Sequence, residues 1–455
     1  MTTQVPVLIV GAGISGLVCA YHLRKFGINA QTVEASPHPG GVIRSEHRDG
    51  FLLELGPQSF SGTPQLLDLC RGLAIESELL EAPPRAPRFL LLDGQLKPAP
   101  LSPPVFFASS LFSARTKWSI IRDALGHSTP PYIDESVADF TRRKFSAELL
   151  DKLVGPFVSG IYAGDPEKLS LRAAFPQLHE AERAAGSILR GMLRAAKSKS
   201  GPTQRPTLQS FKNGNATLID ALAANLGPAL HLETSVTEIR RANAEPSTKY
   251  AATLAVRGST ERITAGNIVV STPTNAAAML LQNLHGEVSS ALASIEYAPI
   301  SVVSLGYRKS DVSHSLDGFG FLVPRSQGLR TLGTVWNSSL FPGRAPERQA
   351  LLTSFVGGAT DPQAVTLLPD ELVALVHKEI APLLQIREGP IFSNATLYPR
   401  ALPQYNLGHA ERLAVFQKLG PGLWLTGNYL RGPSLGACIE HSLSVAEQIR
   451  ESISR

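Results

Sequence analysis

The stretch VLIVGAGISGLVCAYHLRKFGINAQTVE, Val7 to Glu34, decides the fold. Val7-Leu8-Ile9-Val10 is an uninterrupted apolar run, the pattern of a strand buried on both faces of a parallel sheet. Gly11, Gly13 and Gly16 follow at once in GxGxxG spacing. Leu17, Ala20, Tyr21, Leu23 and Arg24 then carry a helical period to Phe26; Gly27 ends it, and Ala30 to Val33 reads as a second strand closed by Glu34. Each part has a physical task. Gly11 allows the tight turn, Gly13 lets a pyrophosphate approach the backbone, and Gly16 lets the helix close on the strand. The free N–H groups at the helix start hold the phosphates. Glu34, roughly 20 residues on, stands where a carboxylate accepts both ribose hydroxyls. The competing reading is a glycine-rich turn in some other βαβ unit, but strand, glycines, helix, strand and acid all fall in order, so a dinucleotide site is predicted.

A second glycine pair follows in Ala35 to Ser45, ASPHPGGVIRS. A nicotinamide enzyme has no need of it, whereas flavin enzymes of the amine-oxidase type carry a similar E-x5-GG-x2-R stretch behind the ribose acid. Gly40 and Gly41 would let backbone approach the cofactor and Arg44 would face its pyrophosphate; the alternative is a surface turn with a solvated arginine. In FLLELGPQ, Phe51 to Gln58, an apolar strand runs into a Gly56-Pro57 turn that either meets the flavin ring or simply ends the strand.

The composition suits a large globular protein: 455 residues, 43% hydrophobic and 18% charged. A net charge of +5 lacks the dense basic footprint of a nucleic-acid binder and suits an anionic small molecule or membrane surface. Cys19, Cys70 and Cys438 are far apart, which argues for a reducing compartment and no disulfide framework. The histidines show no metal-ligand spacing, so no metal is expected. The first strand begins almost at the N-terminus, leaving no room for a targeting peptide, and no stretch reaches the roughly 18 apolar residues of a membrane span.

Pro83 to Pro104 contains a probable hairpin, Arg88 to Leu92 and Gln95 to Lys97 around Asp93-Gly94. Arg88 either clamps a carboxylate or is solvated. Val105 to Gly126 mixes aromatic and basic residues and reads equally as a membrane-surface segment or a helical subdomain with its apolar face inward. Ser136 to Val154 reads as one helix, and GPFVSGIYAGDP, Gly155 to Pro166, lets backbone pass close to a flat ligand. Lys197 to Pro206 is a polar linker. A turn at Asn213-Gly214-Asn215, a helix from Leu218 to Leu226, a strand from His231 to Ile239 and a hairpin returning at Ile268 to Pro273 resemble the second piece of a split cofactor domain. Strands at Ser301 to Gly306, Phe319 to Val323, Leu329 to Val335 and Ala350 to Val356 predict a second, largely antiparallel sheet, with a helix at Pro369 to Ala381. Leu423 to Tyr429 reads as a buried strand, and Arg431 to Glu440 opens a final helix whose N-terminus is another anion- or carbonyl-binding end.

Five stretches then give a resemblance to the protoporphyrinogen oxidase family, flavin enzymes of the oxygen-dependent type: GAGISGL, GGVIRS, ELGPQS, FVSGIYAGDPEKLSLRAAFP (Phe157 to Pro176) and GNYLRGPSLGACIE (Gly427 to Glu440). The first two are shared with amine oxidases; the fourth weighs most. The resemblance implies an α/β fold: a Rossmann-like FAD-binding domain split over residues 1–83, 206–290 and 395–455, a helical membrane-facing subdomain at 84–205, and an antiparallel-sheet substrate domain at 291–394. It implies FAD held by Gly11, Ala12, Gly13, Ile14, Ser15, Gly16, Glu34, Gly40, Gly41, Val42, Arg44, Gly56, Pro57, Gln58, Ser59, Val236, Asn428, Pro433, Ser434 and Leu435. Arg88 would hold a substrate propionate and Gly160 would offer a backbone carbonyl to pyrrole N–H groups, while Phe319, Gly320, Leu322 and Phe355 would line the pocket. Val42 and Ile43 stand where amine oxidases carry GGR, and Cys438 lies past the start of the final helix, so FAD is expected without a covalent link. The implied reaction is oxidation of protoporphyrinogen IX to protoporphyrin IX by dioxygen, with hydrogen peroxide as product. Coproporphyrinogen III oxidation, amine oxidation and a flavin-free lipid-binding chaperone are the alternatives. A cytoplasmic location with contact to the inner membrane face, a homodimer and handover to a ferrochelatase complete the expectations.

Overall fold

The computed structural model describes residues 3–198, 207–242 and 249–454. The opening stretch forms the strand Thr3–Val10, the helix Ile14–Lys25 and the strand Ala30–Val33. Val7 to Val10 are all buried, which is why they show no polar alternation. Thr3–Val10 pairs in parallel with Ala30–Val33 on one side and with the end of Ser259–Val270 on the other. Leu423–Leu425 adds in parallel beyond the latter, and Leu230–His231 beyond Ala30–Val33. One sheet is therefore assembled from the beginning, middle and end of the chain. The helices Ile14–Lys25, Ala216–Leu226 and Leu435–Ser454 cover one face through Leu17, Leu23, Leu222, Ile439 and Ile449. The other face buries Val5, Leu8 and Val10 with Tyr250, Leu292 and Leu425.

The segment from His231 to Ile239 is not one strand. A turn with Glu233 at φ 51 breaks it. Leu230–His231 stays in the parallel sheet, and Thr234–Arg241 becomes the edge of an antiparallel meander with Tyr250–Val256 and the start of Ser259–Val270.

The second sheet runs in the order Phe392–Pro403, Tyr297–Arg308, Gln349–Gly357, Thr331–Val335, Gly320–Leu322, Arg88–Leu92, Gln95–Pro98. It is antiparallel except where Gly320–Leu322 meets Arg88–Leu92. Leu372, Val376, Ile380 and Leu384, one stripe of the helix Pro369–Leu384, pack into its core. Phe392–Pro403 has no counterpart in the sequence reading. FSNATLYPRALP neither alternates nor runs apolar, and it holds two prolines. It is an edge strand, where a missing N–H is tolerated, and Pro399 falls in a bulge opposite the Ala298 to Ile300 segment.

The remaining helices include Pro103–Ala108, Ala114–Leu125, Val137–Lys144, Gly155–Tyr162, Pro176–Ala185 and Ile188–Ser198. Ser136 to Val154, expected as one helix, breaks at Phe145 (φ −127, ψ −101) and restarts at Ser146, whose Oγ accepts the Leu149 N–H. Val105 to Gly126 is two helices. Phe106 and Phe112 stack inward with centroids 4.7 Å apart, while Trp118 and Leu125 are 61% and 75% exposed. Among the described residues no helix is long and apolar enough to cross a membrane. Residues 199–206 of the expected linker lie outside the described residues.

A buried charge cluster pins these helices together. Lys144 lies 2.6 Å from Asp123 and 3.4 Å from Glu182, and Arg143 reaches Glu182 at 2.8 Å and Glu135 at 2.6 Å. Burial pushes the Glu182 carboxyl up, but hydrogen bonds from Arg143 and Ser128 and the two cations outweigh it and bring it down to about 2. A carboxyl held below its ordinary value of 4.5 gives stability that is complete above that pH and is lost as pH falls towards 2. Acid unfolding followed by circular dichroism is therefore expected in that window. Glu182→Ala removes the carboxylate shared by the two cations and leaves Lys144 to Asp123 and Arg143 to Glu135, which should cost about 1–3 kcal/mol in denaturant unfolding.

Candidate active site

Closure of the first helix on the first strand fixes one wall. A Cβ on Gly16 would lie 2.0 Å from the Gly11 carbonyl oxygen and 2.6 Å from Ser271 Oγ, so only glycine allows this approach. Gly13 differs: a Cβ there would meet nothing within 4 Å, because it faces open space. The helix has no capping side chain and no acid in its first turn, which leaves its positive end to an anion. The second glycine pair docks here. The Gly40 N–H donates to the Ala12 carbonyl at 2.8 Å, and Gly41 faces Gly13. Glu34 is fixed by the N–H groups of Ala12 (2.7 Å) and Ser36 (2.9 Å), with lone pairs left for hydroxyl donors. The Thr234 N–H donates to the Glu34 carbonyl, so Val236 follows close by, beside a bulge. Arg44 pairs with Glu46 at 3.1 Å. Ser15 hydrogen-bonds the buried Cys438 thiol, which burial nonetheless pushes up to about 11. This contact brings Pro433, Ser434 and Leu435, at the start of the final helix, beside the first glycine turn. Gly436 in turn lies against Thr63, just beyond Ser59.

The Gly56 to Ser59 loop is held from behind. Gln58 Nε2 donates to the carbonyls of Glu54 and Gly56, both at 2.9 Å, and its Oε1 accepts from Asn337 at 2.7 Å. The Gln58 side chain is therefore spent inside the protein and does not face a cofactor. Asn215 Nδ2 donates to the Pro57 carbonyl at 2.7 Å. Beneath the loop, Glu54 and Arg344 are 3% and 1% exposed and pair at 3.4 Å. Burial raises the Glu54 carboxyl to about 7 despite the pull of Arg344, Ser45 and Asn215, and burial also lowers the Arg344 guanidinium. Arg344 and Asn337 carry no motif, and Asn215 reads in the sequence only as a turn.

The facing wall belongs to the second sheet. Arg88 opens its strand opposite Gly320, exposed, with its guanidinium 4.9 Å over the Phe319 ring. No carboxylate of the described residues pairs with it. Leu322, Gly333 and Phe355 stand in register across three strands, and the Leu322 side chain leans over the bare Gly333, its Cδ2 2.9 Å from where a Cβ would stand. Gly160 approaches Leu322 from the helix above. Gly320 itself is buried; it lets the Thr334 carbonyl come close and does not line the surface. The helix Gly155–Tyr162 ends with Ala163 in the left-handed region, φ 48. Its terminal carbonyls are largely spoken for: Ser159 by the Ala163 N–H, Tyr162 by Gln404, Ala163 by the Ala359 N–H. Among the described residues no donor reaches those of Gly160 and Ile161, which remain for a ligand. Gln404 and Tyr405, whose hydroxyl donates to the Asn428 carbonyl at 2.6 Å, escape the sequence reading because they lie past an unrecognised strand.

A dinucleotide cradle with a second glycine pair is thus tied, through Gln58 and Asn337, to the sheet that carries the apolar wall and Arg88, and the open space over Gly13 between two helix starts fits a flavin dinucleotide. A family model for flavin-containing amine oxidoreductases matches residues 14–450. The chain is 34% identical to chloroplastic protoporphyrinogen oxidase of Nicotiana tabacum, covering 99% of this chain and 86% of that one. It is 28% identical to coproporphyrinogen III oxidase of Bacillus subtilis (strain 168), covering 95% of each. A crystal structure of an Exiguobacterium sp. 255-15 protein, 25% identical, superposes with a TM-score of 0.81 over 99% of both chains.

Gly13→Ala is expected to leave unfolding of the apoprotein within about 0.5 kcal/mol of wild type while weakening FAD retention at least roughly ten-fold. Gly16→Ala should cost about 1–3 kcal/mol and lose the cofactor as well. Denaturant titration of apoprotein and visible absorbance of the purified holoprotein separate the two effects.

Proposed function

This chain belongs to the flavin-containing amine oxidoreductase family, and from that membership we propose a FAD-dependent porphyrinogen oxidase that converts protoporphyrinogen IX to protoporphyrin IX, with dioxygen as acceptor and hydrogen peroxide as product. One observation carries the reading: an unpaired guanidinium and two unused helix-end carbonyls border an apolar wall built from Leu322 and Phe355.

A porphyrinogen is a broad apolar macrocycle with pyrrole N–H donors inside and propionates on its rim. Arg88 binds a propionate through charge-assisted hydrogen bonds, its guanidinium steadied on Phe319. The Gly160 carbonyl accepts from pyrrole N–H, while Leu322 and Phe355 hold the macrocycle face and exclude water. FAD would be held by Gly11 to Gly16, Glu34, Gly40, Gly41, Val42, Arg44, Gly56, Pro57, Ser59, Val236, Asn428 and Pro433 to Leu435; when bound, it would supply the acceptor for a hydride from a bridging carbon. This chain's part is to hold that carbon in place. Each hydride that leaves a bridging carbon is matched by one pyrrole N–H proton lost to water, and tautomerisation redistributes the remaining hydrogens, so no side-chain base is invoked.

Amine oxidation fits poorly. It calls for an aromatic cage beside the flavin, and Tyr429, the aromatic residue in the C-terminal motif, is 1% exposed and packs edge-on against Phe416. The exposed Trp118, Leu125, Met192 and Leu193, with the basic Arg115 and Arg194, support peripheral contact with an anionic membrane face.

The test uses purified holoprotein in air with protoporphyrinogen IX and coproporphyrinogen III, reading porphyrin fluorescence and peroxide. Both signals are expected, faster with protoporphyrinogen IX. Arg88→Ala should raise KM by roughly ten- to hundred-fold, the worth of a hydrogen bond to a charged group, without loss of flavin. A flavin-loaded protein that yields fluorescence from neither compound would sink the proposal.

A further inference from the structure

We infer that Gln404 and Tyr405 are positioning residues that set the separation between the Gly160 helix and the Asn428 turn, and thereby between substrate and cofactor. The inference rests on the reading of Gly160 as a substrate acceptor and Asn428 as a cofactor-side residue. The two are chain neighbours just past the edge strand Phe392–Pro403. Gln404 Nε2 donates to the Tyr162 carbonyl at 2.9 Å, two residues beyond Gly160, and to the Leu402 carbonyl at 3.1 Å. The Tyr405 hydroxyl donates to the Asn428 carbonyl at 2.6 Å. His409 packs at a tilt of 37° against the Tyr405 ring, centroids 4.3 Å apart, and its Nε2 lies 3.1 Å from the Tyr429 carbonyl. Two consecutive carbonyls of the cofactor-side turn are therefore gripped from this segment, while its other hand holds the end of the substrate-side helix. Gln404, Tyr405 and His409 are all buried, so neither water nor side-chain rotation offers slack. Burial also brings the His409 imidazole down to about 4, which keeps it neutral, with its one proton on Nε2 as the bond to Tyr429 requires.

Other bonds at the same helix end lead elsewhere. The Ala163 carbonyl goes to Ala359 of the second sheet and the Tyr162 hydroxyl to the Ala174 carbonyl, so neither ties the helix to the cofactor side. The Gln404–Tyr405 pair makes that tie through a single peptide unit, which is rigid.

Tyr405→Phe removes one oxygen and keeps the ring, and Gln404→Met removes the amide at similar volume. In the holoprotein both variants should keep wild-type flavin content and KM, since Arg88 is untouched, while the thermal midpoint falls by a few degrees because one buried carbonyl loses its donor. Anaerobic flavin reduction by protoporphyrinogen IX should slow about ten-fold, within what loss of ångström-scale alignment costs. The visible circular dichroism of the bound flavin should change in Tyr405→Phe. The double variant should be no slower than either single, because one spacer has been cut at either end. Unchanged reduction and dichroism would overturn the inference, as would multiplicative losses in the double variant, or reduced flavin content with a normal rate per bound flavin. A wild-type holoprotein inactive towards both porphyrinogens would refute the proposed function instead. The dichroism of Tyr405→Phe then decides this inference, and an unchanged spectrum overturns it.

Discussion

The arrangement depends on the strand Ser259–Val270 holding its register between two strands from opposite ends of the chain. Ile9 and Trp424 both pair with Val269, and Val10 and Leu425 both pair with Val270. Parallel strands in common register end together, so the Gly11 turn, Ser271-Thr272 and the Thr426 to Asn428 segment open on one edge. The Ser271 N–H to the Val10 carbonyl at 2.9 Å and the Thr426 N–H to the Val270 carbonyl at 3.1 Å carry the alignment past the last strand residues. A slip of one residue would exchange the side chains packed on the sheet's two buried faces, so the same packing that stabilises the sheet also sets where the cofactor-side turns meet.

What the sequence shows and what it hides divide along the distance over which each feature is specified. The glycine turn, the ribose acid and the Asp93-Gly94 hairpin are legible because their causes lie within a few residues: positive φ, a helix start, a two-residue turn. The apolar wall is not legible. Leu322, Gly333 and Phe355 become neighbours only through the register of three strands, and nothing local marks Gly333 as the place over which Leu322 folds. The edge strand Phe392–Pro403 hides for a different reason: with one side unpaired, it tolerates prolines that sequence rules assign to loops. Missing it also hides Gln404, Tyr405 and His409. The break at Glu233 is likewise a tertiary result, because the chain must leave the parallel sheet to form the meander.

Two buried ionic groups show how context decides what a charge pair does. In the helical region Glu182 gains enough from Arg143, Lys144 and Ser128 to stay ionised well below the usual carboxylate range, and the cluster works as a pin. Beneath the Gly56 loop, Glu54 and Arg344 are both shifted towards neutrality by burial, so their attraction at 3.4 Å does not offset desolvation. The geometry explains the pair differently: Glu54 also receives Ser45 and the Asn215 N–H, and Asn215 in turn fixes the Pro57 carbonyl. The pair belongs to the network that holds the loop in one place.

The same accounting outlines the ligand. A folded chain leaves few backbone groups without partners, so those it does leave describe a complementary surface. On the cradle side these are the first-turn N–H groups of Ile14–Lys25, with Glu34 already oriented and bare backbone at Gly13 and Gly41, all of which favours phosphate, ribose and a flat ring. On the facing side they are the carbonyls of Gly160 and Ile161 and the Arg88 guanidinium, separated by apolar side chains. Acceptors at one place, a cation at another and hydrocarbon between them match a molecule with inward N–H groups and rim carboxylates. Arg88, Gly160 and Ile161 are all exposed, so a ligand that pairs with them must replace water at each, and this complementarity is the ground on which a porphyrinogen is proposed.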